Sequence, residues 1–191
     1  MPHSTQLSAA DTGLLVIDLQ EKLLPLIADG ATVVRNAAFL IDAANLLGMT
    51  VQATEQYPRG LGPTAAELAK RLPHRPDKTA FSCCAIPEVV ETFRREARQK
   101  VVLCGIESHV CVLNTALDLL ALDFRVYLAV DAISCRFRVD HEVAMRRLEQ
   151  AGAILTTAEG CVFEWVGGSS HPRFKDVSRL VQERMKAISA S

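Results

Sequence analysis

The segment 103–114, which reads Leu-Cys-Gly-Ile-Glu-Ser-His-Val-Cys-Val-Leu-Asn, carries the residue types best suited to nucleophilic chemistry. An apolar run leads into Gly105, and a helical pattern begins near Val110. This order predicts that Cys111 lies near a helix N-terminus, just past the carboxyl end of a buried strand. Unpaired backbone N–H groups and the helix dipole favour an anion there, so we expect this thiol to ionise below its free pKa. The thiolate is the nucleophilic form of cysteine.

Short apolar segments alternate with longer amphipathic ones, a pattern typical of a doubly wound α/β domain with a parallel sheet. Several predicted strands are apolar at almost every position, as expected of strands buried on both faces. The strands are predicted over 13–18, 49–54, 79–81, 101–106, 125–130 and 153–156. The helices are predicted over 31–47, 64–72, 87–98, 110–122, 139–151 and 175–188. No linker or repeat interrupts the pattern, so we predict one domain over residues 1–191.

The carboxyl ends of the predicted strands supply the partners that a reactive thiol needs. In open α/β sheets, ligand sites form outside these ends. Asp18 closes the first predicted strand and offers a base, and Lys78 directly precedes the third and offers a cation. We therefore expect Asp18, Lys78 and Cys111 to meet at one edge of the sheet.

Four further side chains near these ends are candidates for a substrate pocket. Gln20 and Tyr57 either line it or serve ordinary capping and surface roles. Phe81 is either pocket wall or core, and His109 either lines the pocket or hydrogen-bonds a loop carbonyl. The Pro- and Gly-rich segment 57–63 is predicted to be a loop that forms one wall.

Composition excludes several classes of function. With 49% hydrophobic and 23% charged residues, the chain is typical of a soluble globular protein. A net charge of −1 gives no basic footprint for nucleic acid, and no apolar run is long enough to cross a membrane. The first residues lack the character of a secretory signal, so we expect a cytoplasmic protein. Six cysteines without a Cys-x-x-Cys pair and five histidines without ligand spacing predict neither a disulfide framework nor a metal site.

Taken together, these residues resemble the isochorismatase-like cysteine hydrolase family. The first strand with its acid (14–20), the lysine segment (78–82) and the cysteine segment (105–112) carry the resemblance. The segments 54–64 and 158–163 are similar to the subgroup called isochorismatase domain-containing proteins.

The resemblance implies a three-layer α/β/α sandwich with a central six-stranded parallel sheet. It also implies a catalytic triad of Asp18, Lys78 and Cys111. A non-proline cis peptide at Ile106–Glu107 would accompany an oxyanion hole formed by the backbone N–H groups of Glu107 and Cys111. The family commonly forms homo-oligomers, and the segment 163–169 is either an apolar interface or a core strand and loop.

The implied activity is hydrolysis of a C–N bond in a small amide-like metabolite, through a thioester on Cys111. Members that resemble true isochorismatases cleave a vinyl ether without a nucleophilic cysteine, and this is the enzymatic alternative. A non-catalytic oligomeric binding protein of the same fold is the other. Nicotinamidase-like members hold a metal through an Asp-x-His spacing after the second strand. Residues 55–57 are Glu-Gln-Tyr, so we expect no metal and no cofactor.

Overall fold

The computed structural model describes residues 5–189, and their side chains as far as 186. The predicted domain limits, 1 and 191, lie outside the described residues. The six strands form one parallel sheet in the order β3-β2-β1-β4-β5-β6, which confirms the predicted sheet. They are β1 (Thr12–Ile17), β2 (Thr50–Gln56), β3 (Asp77–Lys78), β4 (Lys100–Gly105), β5 (Arg125–Ile133) and β6 (Ile154–Thr156).

Helices cover both faces of the sheet and complete the predicted three-layer sandwich. One layer contains α1 (Gly30–Leu46), α7 (Ala158–Val166) and α8 (Phe174–Ser189). The other contains α4 (Pro87–Arg95), α5 (Leu113–Ala121) and α6 (Arg138–Gln150). Two single-turn helices, α2 (Pro58–Leu61) and α3 (Ala66–Ala69), lie between β2 and β3. None of the described helices combines the length and the apolar character that a bilayer-spanning segment needs.

The sheet is buried on both faces because its central strands are apolar throughout. In β4, Val101 and Leu103 pack in the hydrophobic cluster with α4, α5 and α6. Val102 and Cys104, which point the other way, pack in the cluster with α1 and α7. Successive side chains in a strand alternate between faces, so a continuous apolar run fills both cores.

The third strand lies two residues before its predicted position. It is Asp77–Lys78 and not 79–81, so Lys78 is part of the strand and not of the preceding loop. After Lys78 the chain curls back, and the carbonyl oxygens of Ala80 and Phe81 accept hydrogen bonds from the Lys78 ammonium at 3.4 and 3.0 Å. The strand ends at Lys78 because the backbone must turn to bring these two carbonyl oxygens to the buried ammonium.

The region between β2 and β3 also departs from the prediction. The helix predicted over 64–72 is confined to α3, because Thr64 is held outside it by two hydrogen bonds to Glu55 Oε1, at 2.8 and 2.7 Å. The predicted loop 57–63 contains the α2 turn. Helices α2 and α3 have only four residues each, which is too short for a helical repeat of apolar residues to show in the sequence.

The segment 163–169 is not a strand with a loop, and of its large apolar side chains only Phe163 is exposed. Residues 163–166 belong to α7, which the sequence pattern did not predict. Trp165 is buried in the core with Val166, and Gly167 ends the helix with a positive φ of 70°. A left-handed residue at this position is the usual termination of a helix.

The strand order reverses between β1 and β4, which lie side by side although β2 and β3 come between them in the sequence. Connections from these two strands run to opposite sides of the sheet, so a crevice opens between their carboxyl ends. Asp18 follows β1 and the segment 106–112 follows β4. The topology therefore brings the predicted acid and the predicted nucleophile to one place.

Candidate active site

Asp18 is the first residue after β1 and is completely buried. Its backbone has a positive φ of 52°, and its N–H donates to the carbonyl oxygen of Thr54 at 3.3 Å. The Thr54 hydroxyl donates to Asp18 Oδ1 at 2.8 Å. The neighbouring strand thus fixes one carboxylate oxygen and leaves the other for a cation.

That cation is Lys78, whose Nζ donates to Asp18 Oδ2 at 2.7 Å and to Gln56 Oε1 at 2.6 Å. Burial alone lowers the pKa of Lys78, but the attraction of the Asp18 carboxylate and its hydrogen bond outweigh this effect, and the pKa is raised. A buried ammonium persists only where anions and carbonyl oxygens replace its water. Lys78 is therefore a fixed positive charge.

Cys111 lies in a π-helical turn (Ser108–Val112) that leads directly into α5. The residue is only 6% exposed, and its Sγ lies 3.7 Å from Gln56 Oε1, to which the thiol donates. The expected low pKa is wrong. Burial raises the pKa of the Cys111 thiol and the Asp18 carboxylate raises it further, also through a hydrogen bond, while Lys78 lowers it. The Lys78 ammonium forms its ion pair with Asp18, and its effect on the thiol is outweighed by burial and by Asp18. Cys111 in the resting protein is therefore a neutral thiol.

The loop between β4 and the π-helical turn is held from several sides. Gly105 has a φ of 128°, and a Cβ there would lie 2.0 Å from the carbonyl oxygen of Ile17. The Ile106–Glu107 peptide is cis, as the resemblance implied. The Glu107 carboxylate accepts from Arg136 Nε at 3.0 Å, and Ser134 accepts the Ser108 N–H at 2.9 Å. The Glu107 side chain thus anchors this loop.

The backbone N–H of Glu107 has no hydrogen-bond partner within residues 5–189. It belongs to the segment that immediately precedes Cys111, at the N-terminal end of the helical stretch 108–121. Such groups are donors for an anion or a polarised carbonyl oxygen. The family resemblance implied an oxyanion hole formed by this N–H group together with that of Cys111.

Two predicted pocket residues lie at the open side of the cluster. Tyr57 is 52% exposed and lines a cavity of about 450 Å³ whose wall also includes Lys78 and Thr79. Phe81 is 56% exposed, so it is not core, and its carbonyl oxygen binds Lys78. The cavity reaches Lys78, and Cys111 is not part of its lining.

Gln20 does not line the cavity, contrary to its prediction as a pocket residue. It is completely buried, and its Nε2 donates to the carbonyl oxygens of Gln56 at 2.9 Å and Gly62 at 2.6 Å. Its Oε1 accepts the backbone N–H of Gln56 at 2.7 Å. With its whole amide engaged by backbone, Gln20 ties the 57–63 segment to β2.

His109 is partly exposed beside the N-terminal turn of α6. Its Nε2 lies 3.9 Å from Asp140 Oδ2, and its Nδ1 is buried without a hydrogen-bond partner in the part of the chain that the structure describes. It pairs with a side chain, and not with the loop carbonyl that was one of the two expectations.

Two residues of the cluster were missed by the sequence reasoning. Gln56 joins Lys78 to Cys111, and the only signal for it was its position after the predicted second strand. Cys83 is completely buried with its Sγ 3.3 Å from Thr54 Oγ1, and burial, followed by the Asp18 charge, raises its pKa to about 12. Its position next to Cys84 in the sequence gave no indication of the contact with Thr54.

Among residues 5–189, no three His, Cys, Asp or Glu side chains are grouped so that they could hold a metal ion. All six cysteines are unpaired. The chemistry of the cluster thus comes from one thiol, one carboxylate, one ammonium and one amide. Their hydrogen bonds run without interruption from Cys111 through Gln56 and Lys78 to Asp18.

Known proteins resemble this chain in sequence and in fold. The isochorismatase domain model matches residues 12–160. Isochorismatase domain-containing protein 2A of Mus musculus is 43% identical over 171 residues, which are 89% of this chain and 82% of that protein.

Two solved structures superimpose closely. The MAR1 ribonuclease of Caenorhabditis elegans has a TM-score of 0.87 and 42% identity, with 93% of each chain covered. The YcaC gene product of Escherichia coli, an octameric hydrolase of unknown specificity, has a TM-score of 0.87 at 22% identity, with 100% of this chain and 98% of that one covered.

The identity of the second structure is low enough that it shows the fold alone. The domain match and the closely related proteins show more, because they extend over most of the chain. The range matched by the domain model, 12–160, includes the β1, lysine and cysteine segments that form the buried cluster. This chain belongs to the isochorismatase family and has its hydrolase fold.

Proposed function

We propose that this protein hydrolyses a C–N bond of a small amide-like metabolite through a thioester on Cys111. The observation that carries the proposal is the buried hydrogen-bonded cluster, in which a thiol, a carboxylate and a fixed ammonium lie together. Each group has a role that its contacts support. Cys111 is the nucleophile, Asp18 the general acid and base, and Lys78 the positive charge that holds the Asp18 carboxylate in place.

The first half-reaction consumes the amide. As Cys111 Sγ attacks the carbonyl carbon, the thiol proton passes to the Asp18 carboxylate and a C–S bond forms. The raised pKa of the thiol supports this base-assisted attack over a preformed thiolate. The oxyanion accepts hydrogen bonds from the backbone N–H groups of Glu107 and Cys111. The tetrahedral intermediate then expels the amine, which takes the proton held by Asp18.

The second half-reaction regenerates the enzyme. Asp18 removes a proton from a water molecule while the water oxygen attacks the thioester carbonyl. When the C–S bond breaks, the proton returns from Asp18 to the Cys111 sulfur and the carboxylic acid departs. The sum is amide plus water to acid plus amine, with the cluster restored.

The two alternatives give different results on one substitution. Vinyl-ether hydrolysis needs no sulfur nucleophile, so its rate would survive Cys111→Ala. A non-catalytic binding protein would show no turnover in either form. The buried acid and ammonium beside Cys111 favour the amide reaction, since a thiol nucleophile needs a base within reach.

RNA cleavage is a second candidate, because the 42% identical Caenorhabditis elegans structure is named a ribonuclease. The net charge of −1 and the pairing of the Lys78 ammonium with Asp18 give it little support, since RNA backbones bind to free positive charge. Release of nucleotides from a single-stranded RNA by the wild type, and not by Cys111→Ala, would replace the amide proposal.

The remaining expectations are proposals of the same kind. We infer a cytoplasmic location, supported by six unpaired cysteines, and a homo-oligomer, as the family resemblance implies. The partner is a small-molecule substrate, and neither a metal nor a cofactor takes part in the steps above. Tyr57 and Phe81 border the side from which substrate would enter.

A screen of small carboxamides for ammonia release tests the proposal. We expect at least one amide to be hydrolysed by the wild type and none by Cys111→Ala, with equal circular dichroism spectra for the two proteins. Equal ammonia release from both proteins would overturn the role of Cys111.

A further inference from the structure

The side-chain amide of Gln56 has only one possible orientation. Its Oε1 lies 2.6 Å from Lys78 Nζ, which can only donate, and its Nε2 lies 2.9 Å from the carbonyl oxygen of Thr79, which can only accept. Exchanging the two amide atoms would break both hydrogen bonds. The backbone of Gln56 is fixed as well, by the Gln20 amide on both its N–H and its carbonyl oxygen.

The carbonyl oxygen of this amide has two lone pairs, and the resting protein uses both. Lys78 donates to one, and the Cys111 thiol donates to the other across 3.7 Å. When the thiol proton passes to Asp18 during attack, the second donor disappears. A buried carbonyl oxygen beside the sulfur then needs a new donor, and leaving it without one has a cost.

The substrate can supply that donor on one side of its carbonyl carbon. The oxygen of the substrate points to the Glu107 and Cys111 N–H groups, and the leaving nitrogen must face Asp18 to receive its proton. Asp18 Oδ2 and Gln56 Oε1 both contact the same Lys78 ammonium, at 2.7 and 2.6 Å. Gln56 Oε1 also lies 3.7 Å from the attacking sulfur, so a nitrogen that is bonded to the attacked carbon and turned toward Asp18 can reach it.

We propose that Gln56 is a specificity-determining residue that selects substrates with an N–H on the leaving side, such as primary or secondary amides, over esters and tertiary amides. The inference rests on the proposed function, because it assumes that Cys111 attacks the substrate. It adds a residue that acts by accepting a hydrogen bond that only an N–H substrate can donate.

Alkylation of Cys111 by a matched pair of reagents tests this without knowledge of the substrate. N-methyl-2-iodoacetamide and methyl iodoacetate have the same shape, but only the first has an N–H. Each forms a C–S bond to Cys111 and expels iodide, while the thiol proton passes to Asp18. The rates are followed by mass spectrometry of the Cys111 peptide and divided by the rates of the same reagents with glutathione.

In the wild type we expect the normalised rates to favour the amide reagent by about tenfold, the range of one hydrogen bond to a buried acceptor. Gln56→Met, which keeps the length but removes the acceptor, should bring the ratio close to one. Gln56→Glu, which keeps an acceptor oxygen, should retain a clear preference. A purely structural role for Gln56 would change both rates together and leave the ratio unaltered.

Three further outcomes are decisive. A ratio near one in the wild type, or an unchanged ratio in Gln56→Met, overturns the role of Gln56 while leaving Cys111 as nucleophile. If neither reagent modifies wild-type Cys111, the proposed function fails together with the inference.

Because Cys104 is completely buried, its lack of labelling shows that a variant is folded. If Cys104 is labelled in Gln56→Met, that variant is unfolded. The rate ratios of the wild type and of Gln56→Glu then decide the test.

Discussion

The Lys78 ammonium lies 2.7 Å from Asp18 Oδ2, although the two residues are 60 positions apart in the chain and their side chains are almost wholly buried. Such a pair is expensive to desolvate, so it is weak evidence for stability. It is better explained by what surrounds it, since Cys111 and Gln56 complete the same cluster. The Asp18–Lys78 pair supplies a fixed charge arrangement around one thiol.

Replacement of Lys78 by methionine should destabilise the fold strongly, because it leaves the Asp18 carboxylate buried without its cation. We expect a loss of about 3–5 kcal/mol in the free energy of unfolding, measured by urea denaturation. The double variant Asp18→Asn/Lys78→Met should recover much of this loss and remain inactive. A single Lys78→Met variant as stable as the wild type would show that the two charges are not coupled.

Asp18→Asn should remove the proton-transfer group while preserving its size. Loss of a general acid and base typically lowers the rate by about 10²–10⁴-fold, and we expect a fall in kcat/KM of that order for any amide that the wild type hydrolyses. The matched control is Thr54→Ser, which keeps the hydroxyl that donates to Asp18 Oδ1 and should retain most activity. Comparable rates for Asp18→Asn and the wild type would exclude Asp18 from the chemistry.

Alkaline pH should destabilise the protein, and Cys111 should account for part of the effect. Its pKa is raised above the ordinary 9.0, so the fold favours the neutral thiol. That contribution is fully present below the unfolded pKa and is lost as pH rises through the folded value. The raised pKa of Lys78 has the same sign, with loss beginning above its ordinary 10.5.

The measurement is the free energy of unfolding between about pH 8 and pH 10.5. Each thiol with a raised pKa contributes a slope of up to about 1.4 kcal/mol per pH unit above its unfolded value. Cys111→Ala should therefore reduce the slope by about that amount. An identical slope in Cys111→Ala and the wild type would mean that this thiol titrates normally in the fold.

Gly105→Ala should be among the most damaging single-methyl additions to the chain. The residue has a φ of 128°, and the added Cβ would lie 2.0 Å from the carbonyl oxygen of Ile17. Backbone strain and overpacking together should cost about 2–6 kcal/mol, read from thermal or urea unfolding. Gly48→Ala is the control, because Gly48 also has a positive φ, 66°, but has nothing within 4 Å of the new Cβ. Equal costs for both variants would rule out the close contact with Ile17.

The sequence was sufficient to predict the six-stranded sheet and the edge of the sheet at which Asp18 and Cys111 lie. Asp18 and the 106–112 segment both follow continuous apolar strands, and the carboxyl ends of parallel strands meet at one edge. Lys78 was harder to place, because the two residues of β3 have no apolar pattern and the chain after it folds around the ammonium.

What the sequence could not predict depends on contacts between distant segments. The raised pKa of Cys111 follows from its burial against Gln56 and Asp18, which neighbouring residues in the sequence do not reveal. Gln20 looked like a pocket residue because it follows β1, yet its amide is used entirely by the backbone of Gln56 and Gly62. Amide side chains satisfy whichever groups the fold brings near them.

Rapid-quench mass spectrometry of the intact protein, with an amide that it hydrolyses, tests the thioester mechanism most directly. We expect wild-type protein to gain the mass of the acyl group within one turnover, on the Cys111 peptide, and to lose it in hydroxylamine as a hydroxamate. Cys111→Ala should gain no mass. Hydrolysis that proceeds at the normal rate with no acylated Cys111 at any time point would contradict the mechanism.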